Sequence, residues 1–287
     1  MRTITTPEEL KRTLDDTRAR GSRVGFVPTM GALHEGHLSL VRDARARAQV
    51  VVTSIFVNPT QFGPKEDFSK YPRDLAGDAA KLEGAGADLL FAPESGAMYP
   101  PGESTRVRVG LLTDTLCGPF RPGHFEGVAT IVAKLFGLVG PCVAVFGKKD
   151  YQQLAVLRRM ATDLFLPVEI VGHPLVRESD GLAMSSRNAY LSAADRVRAL
   201  GLVKGLRAGY TLFEGGERHA AALESAVRGE VQRGADSIDY VSVVDAGTLQ
   251  PVETLGERAL IAIACRVGGT RLIDNVVLGE DPRASLR

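Results

Sequence analysis

The sequence predicts an α/β protein: an N-terminal doubly wound parallel sheet with a smaller C-terminal α+β domain. Short, almost wholly apolar runs such as Val50–Val57 alternate with helix-period patterns, and no hairpin signal lies between them. Strand, helix, strand in that arrangement is a βαβ unit, whose strands run parallel. Past about residue 175 the texture changes to two helices and then three β-rich segments.

The elements follow in order. Thr6-Pro7-Glu8-Glu9 places a capping hydroxyl, a first-turn proline and a glutamate three residues on, the pattern of a capping box, and opens a helix to about Gly21. Arg23–Pro28 reads as a strand, Leu38, Leu40, Val41, Ala44 and Ala48 as one face of a helix, and Val50–Val57 as a strand covered on both sides. Arg73–Glu83 (helix), Asp88–Ala92 (strand), Gly127–Leu138 (helix), Cys142–Phe146 (strand), Tyr151–Leu164 (helix) and Val168–Val171 (strand) continue the alternation. Ser192 then starts a long helix that Gly215-Gly216 ends, and Glu217–Arg233 is helical again. Ile238–Val244, Ala259–Ala264 and Leu272–Leu278 are the last strands, and the domain boundary is expected at 176/177.

Composition narrows the function. Thirty-five basic against thirty-four acidic residues leave a formal charge of +1, which excludes attachment to nucleic acid or an anionic membrane by bulk charge. No apolar run approaches the ~18 residues of a membrane span, and the opening MRTITTPEEL lacks a signal-peptide core. Cys117, Cys142 and Cys265 are odd in number and widely spaced, so they read as reduced, mostly buried thiols of a cytoplasmic protein.

Three segments carry chemistry. Pro28-Thr29-Met30-Gly31-Ala32-Leu33-His34-Glu35-Gly36-His37 stands where a strand of an open parallel sheet ends, the usual ligand position. It is not a Walker A loop, because the Gly-Lys-Ser/Thr step is missing, nor a zincin, because one residue rather than two follows Glu35 before the second histidine. No GxGxxG fingerprint is present. Histidines spaced i, i+3 at a helix start can both face a polyphosphate, although the local pattern also fits two capping histidines in a tight turn. Phe146-Gly147-Lys148-Lys149-Asp150 likewise follows an apolar strand and precedes a helix; alone it fits a solvated turn equally well. Val176–Asn188 sets Ser185, Ser186 and Arg187 in what reads as a flexible linker, suited to phosphate in a mobile loop or simply a polar connection.

Together, HxGH after the first βαβ strand and Met-Ser-Ser-Arg after the last resemble the HIGH and KMSKS signatures of the class I aminoacyl-tRNA synthetase and nucleotidyltransferase superfamily. The agreement is closer still with the pantoate–β-alanine ligase family. Val27–Val41, SIFVNPTQF (Ser54–Phe62), Tyr71-Pro72-Arg73, RPGHFEGVATIVAKLF (Arg121–Phe136), FGKKDYQQL (Phe146–Leu154) and Arg177–Leu191 all resemble it, in order, densely through residue 191 and weakly thereafter. Two small departures are Cys142, where an aspartate is common, and Lys148 before the expected lysine.

That resemblance implies a Rossmann-like nucleotide- and pantoate-binding domain (1–176), a C-terminal lid domain (177–287), and a ligase that forms pantothenate, AMP and pyrophosphate through a pantoyl adenylate. It implies an ATP site of Pro28, Met30, Gly31, His34, His37, Gly147, Lys148, Lys149, Asp150, Val176, Met184, Ser185, Ser186 and Arg187. Within it His34, His37, Lys149 and Arg187 are catalytic, His37 as proton donor. Asn58, Gln61 and Gln153 would meet pantoate, and Gln61 also β-alanine. Mg2+ would arrive with ATP, without a protein metal site. Asp78 is a conceivable Mg2+ contact, but a solvated helix face is the preferred reading. The family also implies a homodimer. The rival activity on this scaffold is a nucleotidyltransferase that leaves AMP on its product; NPTQF and KDYQQ favour the ligase.

Overall fold

A computed structural model describes residues 1–64 and 66–287. Its chain divides into two compact units: Met1–Gly110 with Arg121–Lys148 and Gln153–His173, and Pro174–Arg287 with Leu111–Phe120 and Lys149–Gln152. The second unit thus starts at Pro174 and takes in two short segments from earlier in the chain.

The first unit carries β1 (Arg2–Ile4), α1 (Pro7–Ala19), β2 (Val24–Thr29), α2 (Glu35–Arg47), β3 (Val50–Ile55), α3 (Leu75–Ala85), β4 (Leu89–Phe91), α4 (Ser95–Met98), α5 (His124–Val139), β5 (Cys142–Gly147), most of α6 (Tyr151–Asp163) and β6 (Val168–His173). All six strands are parallel, in the order β1-β4-β3-β2-β5-β6. Alternate residues of each strand feed two separate cores. Phe26, Val52, Phe91 and Ala144 pack with Leu10, Leu14, Val128, Ile131, Leu154 and Leu157 on one face. Val27, Val51, Leu90 and Val145 pack with Leu40, Val41, Ala44 and Leu82 on the other. Helices on both faces are why these strands read as continuous apolar runs. The strand order reverses between β2 and β5, so the segments after these two strands leave the topological switch point, where open sheets of this kind bind ligands.

Thr6 caps α1 by accepting a hydrogen bond from the Glu9 amide at 3.4 Å, but Glu9 turns its carboxylate to Arg2 instead of back to the cap. Only half of the capping box is made. β1 is too short for a periodic signal and takes its register from pairing with β4.

The second unit holds α7 (Ala193–Ala199), α8 (Gly201–Glu214) and α9 (Ala220–Gln232) with an antiparallel sheet β7 (Ser237–Asp245), β8 (Ala259–Val267) and β9 (Thr270–Leu278). The single long helix expected from Ser192 is two helices meeting at Leu200 and Gly201. A side chain at Gly201 would press on the Glu230 carbonyl at 3.2 Å, so the junction is fitted to the end of α9. Ile261, Ile263 and Cys265 of β8 pack with Leu202, Leu206, Leu223 and Val227 to form this unit's core.

Candidate active site

The HxGH segment leaves β2 through a left-handed turn. Thr29 donates its hydroxyl to the Ser54 carbonyl at 2.8 Å and accepts the Gly31 amide at 3.2 Å. Gly31 and Ala32 then have φ of +83° and +52°. Consecutive residues of this kind turn their N–H groups to one side, and Asp78 of α3 meets them: Oδ2 accepts from Ala32 at 2.7 Å and Oδ1 from Leu33 at 2.9 Å. Lys81, one turn on, donates to the Leu33 carbonyl at 2.9 Å. Asp78 is only 1% exposed. The expected solvated position is therefore wrong, because the loop covers that face of α3.

His34 is the N-cap of α2 and His37 its third residue. The rings lie 4.2 Å apart, and His37 Nδ1 accepts the His34 amide at 3.4 Å. An accepting Nδ1 puts the proton of a neutral imidazole on Nε2, which is then a donor. Both histidines also sit at a helix N-terminus, whose amides favour an anion. They do cap the helix, as the plainer reading had it, and the same geometry suits a phosphate.

Beyond β3 the NPTQF turn is built around Asn58, which is 1% exposed. Its amide nitrogen donates to Gln61 Oε1 at 3.0 Å and the Gly127 carbonyl at 3.1 Å, while Oδ1 accepts from Tyr99 at 2.7 Å and the Thr60 hydroxyl at 3.0 Å. Asn58, expected at the ligand, thus spends one amide hydrogen inside the turn and the other on α5. Gln61 in turn donates Nε2 to Met30 Sδ at 3.0 Å, which joins this turn to the HxGH segment. The Gln61 carbonyl accepts His124 Nδ1 at 2.9 Å, and Arg121 binds Glu66 through two hydrogen bonds of 2.7 and 2.6 Å. Burial opposes ionisation of Glu66, but these bonds from Arg121 hold its carboxyl below the ordinary carboxylate range. Tyr99 carried no sequence signal; Lys134, which stacks over its ring at 4.1 Å, lay within a recognised motif without an assigned role. Arg121 and His124 lay within a recognised motif without an assigned role.

Gly147 finishes β5 and Lys148 follows it, both in the first unit, and half-buried Gln153 belongs there too. Among the described residues Gln153 makes no side-chain hydrogen bond. Its neighbour Gln152, in the second unit, is consumed by the Cys117 amide and the Leu112 and Thr115 carbonyls. Lys149 and Asp150 also belong to the second unit, with Nζ and Oδ2 4.0 Å apart. Asn275 of β9 donates to the Lys149 carbonyl at 2.7 Å, fixing the turn that carries the lysine.

The segment expected as a flexible linker is tied down. The Met184 amide donates to the Val176 carbonyl at 3.0 Å, and Glu178 donates to Leu182 at 2.8 Å, closing a hairpin. At its root Arg177 reaches Asp274 at 2.7 and 3.0 Å, and both side chains are nearly inaccessible. Arg196 holds Glu178 and Asp180. Past the hairpin, Ser185 accepts the Arg187 amide at 3.2 Å and starts the short 3-10 turn Ser186–Tyr190. Val176, Met184, Ser185, Ser186 and Arg187 are all partly exposed on this scaffold. Burial pushes the Cys142 and Cys265 thiols up to about 12, so neither is a nucleophile.

A doubly wound sheet with HxGH at its switch point, a lysine turn after the neighbouring strand and a Ser-Arg turn downstream defines a nucleotide-dependent enzyme of the HIGH type. The model of the family described as Pantoate-beta-alanine ligase matches residues 2–277. The pantothenate synthetase of Trichlorobacter lovleyi is 52% identical over 283 residues, covering 98% of this chain and 100% of that protein. That of Syntrophotalea carbinolica is 55% identical over 265 residues, covering 92% and 94%. Among solved structures, pantothenate synthetase from Thermus thermophilus has a TM-score of 0.91 at 50% identity, covering 96% of this chain and 99% of that one. The ligase from Francisella tularensis, complexed with beta-gamma ATP and beta-alanine, has a TM-score of 0.77 at 32% identity, with 99% of each chain covered. The chain belongs to the pantoate–β-alanine ligase family.

Proposed function

We propose that this ligase activates the carboxylate of pantoate with ATP and passes the acyl group to the amine of β-alanine, in the following arrangement. His34, His37, Lys149 and Arg187 supply the positive charge and hydrogen-bond donors for the triphosphate, with Gly31, Gly147 and Ser185–Ser186 lining its path. A carboxylate attacking the α-phosphate meets the negative charges already on ATP, and donors aimed at the departing pyrophosphate offset that repulsion. His37 is the donor toward it, through a hydrogen bond from Nε2. Asp150 holds the ribose and Val176 the adenine.

Gln61 and Gln153 bind pantoate as neutral amides. That matters chemically, because a cation clamped onto the nucleophilic carboxylate would lower its reactivity. Asn58 acts through Gln61, whose orientation it fixes. Gln61 then meets β-alanine, whose amine attacks the acyl adenylate and expels AMP. Mg2+ is the nucleotide's own counter-ion, and among the described residues no group of three or more His, Cys, Asp or Glu is gathered to hold a metal. His34, His37, Gln61 and Gln153 come from the first unit, Lys149, Asp150, Val176 and Arg187 from the second, and the working form is a cytoplasmic homodimer.

The single observation that carries this reading is the bond from Gln61 to Met30, which puts an oriented, uncharged amide beside the HxGH turn. The test is a product assay with ATP, pantoate and β-alanine. Pantothenate, AMP and pyrophosphate in equal amounts are expected, with labelled pyrophosphate entering ATP when pantoate is present and β-alanine absent. ADP among the products, or an AMP group retained on the product, would reject the adenylate ligase mechanism.

A further inference from the structure

We infer that Asp78 is a positioning residue for catalysis: its carboxylate is the internal anion that holds the turn before His34 and His37 in its left-handed form. The inference rests on the functional reading above and adds to it a residue outside the predicted site.

Four observations converge on it. The N–H groups of Ala32 and Leu33 point to one place, at 2.7 and 2.9 Å from the two oxygens of one carboxylate. Ala32 stands at φ +52°, a conformation unfavourable for a residue with a Cβ unless something holds it. Gly31, at φ +83°, has no room for a side chain: a Cβ would lie 3.1 Å from Asp78 Oδ2 and 3.1 Å from Ile55. Lys81, on the same helix, draws the Leu33 carbonyl from the other side and stands 3.5 Å from Asp78. Two adjacent turns of α3 therefore grip both polar groups of Leu33.

The consequence follows from the order of the chain. Leu33 precedes His34, the N-cap, and the rotation at residues 31–33 sets where the first turn of α2 begins. Backbone amides converging in a left-handed turn form a concave anion site. Filled by Asp78, the site is closed to the substrate's own phosphates and leaves the histidines and helix N-terminus as their landing place. Without the carboxylate the amides would be orphaned or would take a phosphate, and His34 and His37 would lose their alignment. A shift of about 1 Å at such donors is enough to lower turnover roughly 100-fold. Asp78 need not touch substrate for this.

The surroundings allow a chemical test. A cavity of about 330 Å³, lined among others by Met30, Gly31, Phe68, Leu75 and Asp78, opens beside the carboxylate. It is large enough to admit formate, which carries the same group without the side chain. Pantoate-dependent exchange of pyrophosphate into ATP is measured for wild type, Asp78→Asn and Asp78→Ala, each checked for folding by thermal melting. Both variants should lose at least ~10-fold in exchange rate, while the KM of pantoate stays within about twofold because the Asn58–Gln61 turn is intact. Millimolar formate should restore Asp78→Ala toward wild type, formamide should not, and formate should leave Asp78→Asn unchanged because its amide still fills the site. Gly31→Ala, which keeps Asp78 but crowds it, should lose activity without formate rescue. Should the alanine variant fail to fold, Asp78→Asn and Gly31→Ala still decide the matter. Exchange within about twofold of wild type in folded Asp78→Asn, or a loss in folded Asp78→Ala that formate leaves in place, overturns the inference. A wild-type protein without exchange would instead remove the functional reading; calorimetry with ATP alone then tests the clamp, by a weaker affinity of Asp78→Asn and its recovery by formate in Asp78→Ala.

Discussion

Adding one methyl group at Gly127 should displace the NPTQF turn without touching any group that meets a substrate. Gly127 lies near the start of α5, where an ideal Cβ would stand 2.4 Å from the Thr60 carbonyl oxygen, 2.6 Å from its carbon and 2.7 Å from the Gln61 nitrogen. All three are backbone atoms, so no rotamer change relieves the overlap. Ordinary contact begins at 3.4 Å; the turn must withdraw by about 1 Å, and the bond from Asn58 to the Gly127 carbonyl stretches with it. Overpacking of this kind costs roughly 1–3 kcal/mol of stability. The catalytic cost should be larger in proportion, because about 1 Å at a positioning group is worth ~100-fold in rate. We expect Gly127→Ala to fold, to melt a few degrees lower, and to lose ~100-fold in kcat/KM for pantoate. Gly137→Ala on the same helix is the control: among the described residues nothing beyond the adjoining helix backbone lies within 4 Å of its Cβ, so it should be neutral or stabilise by up to ~1 kcal/mol. The assays are initial rates of pantothenate formation across pantoate concentrations and thermal melts. Equal activity of the two variants would refute the claim that the glycine sets the Gln61 position.

His37→Ala and Lys149→Ala should each lower turnover by at least ~100-fold in folded protein, since removing one donor to developing transition-state charge costs about 2.7–4 kcal/mol; near-normal turnover in either would show that the triphosphate lies elsewhere. Arg177→Ala should destabilise the second unit by about 3–5 kcal/mol by leaving Asp274 charged and buried, whereas the Arg177→Met, Asp274→Leu double variant should recover most of it; urea titrations decide between them. Glu66 should hold the NPTQF turn through the Arg121 bond at neutral pH. With its carboxyl held below the ordinary value, that contribution is complete above the usual carboxylate range and is lost as pH falls through the depressed value. Wild type should therefore exceed Glu66→Gln in stability by about 1 kcal/mol at pH ~7, with the gap closing only in acid; a gap that is absent at neutral pH would discount the pair.

What could be read from the chain depended on the range of the force involved. The strands and most helices were legible because burial on two faces writes a period into the residues themselves: Phe26 and Val27 feed opposite cores, and both had to be apolar. The HxGH, NPTQF and Lys149 segments were legible as motifs. Asp78 was not, because what buries it is a loop more than forty residues earlier, and a lone aspartate on a helix reads as solvated. Gly31 was the one local sign, and its need for a left-handed φ does not name the partner. β1 has too few residues for any period. Lys149 looked like the continuation of a first-unit strand, and nothing local to it announces Asn275 of β9 as the residue that anchors its carbonyl.

Asn58 illustrates how a residue can be legible while its task is not. A glutamine facing a carboxylate can offer it either an oxygen, which repels, or an N–H, which binds, and its own side chain does not choose. The choice is made three residues back, at Asn58. The Gly127 carbonyl can only accept, which commits the Asn58 nitrogen to its side at 3.1 Å and leaves Oδ1 to accept from the Tyr99 hydroxyl at 2.7 Å. That nitrogen donates to Gln61 Oε1, which commits Gln61 Nε2 to face outward beside Met30. Lys134 over the Tyr99 ring and bonded to the Met98 carbonyl holds the tyrosine in place. Each hydrogen bond fixes the polarity of the next, so a direction set at the Gly127 carbonyl arrives as a donor beside Met30. Direct contact between Asn58 and pantoate would require breaking one of these links, whereas presentation of Gln61 requires all of them.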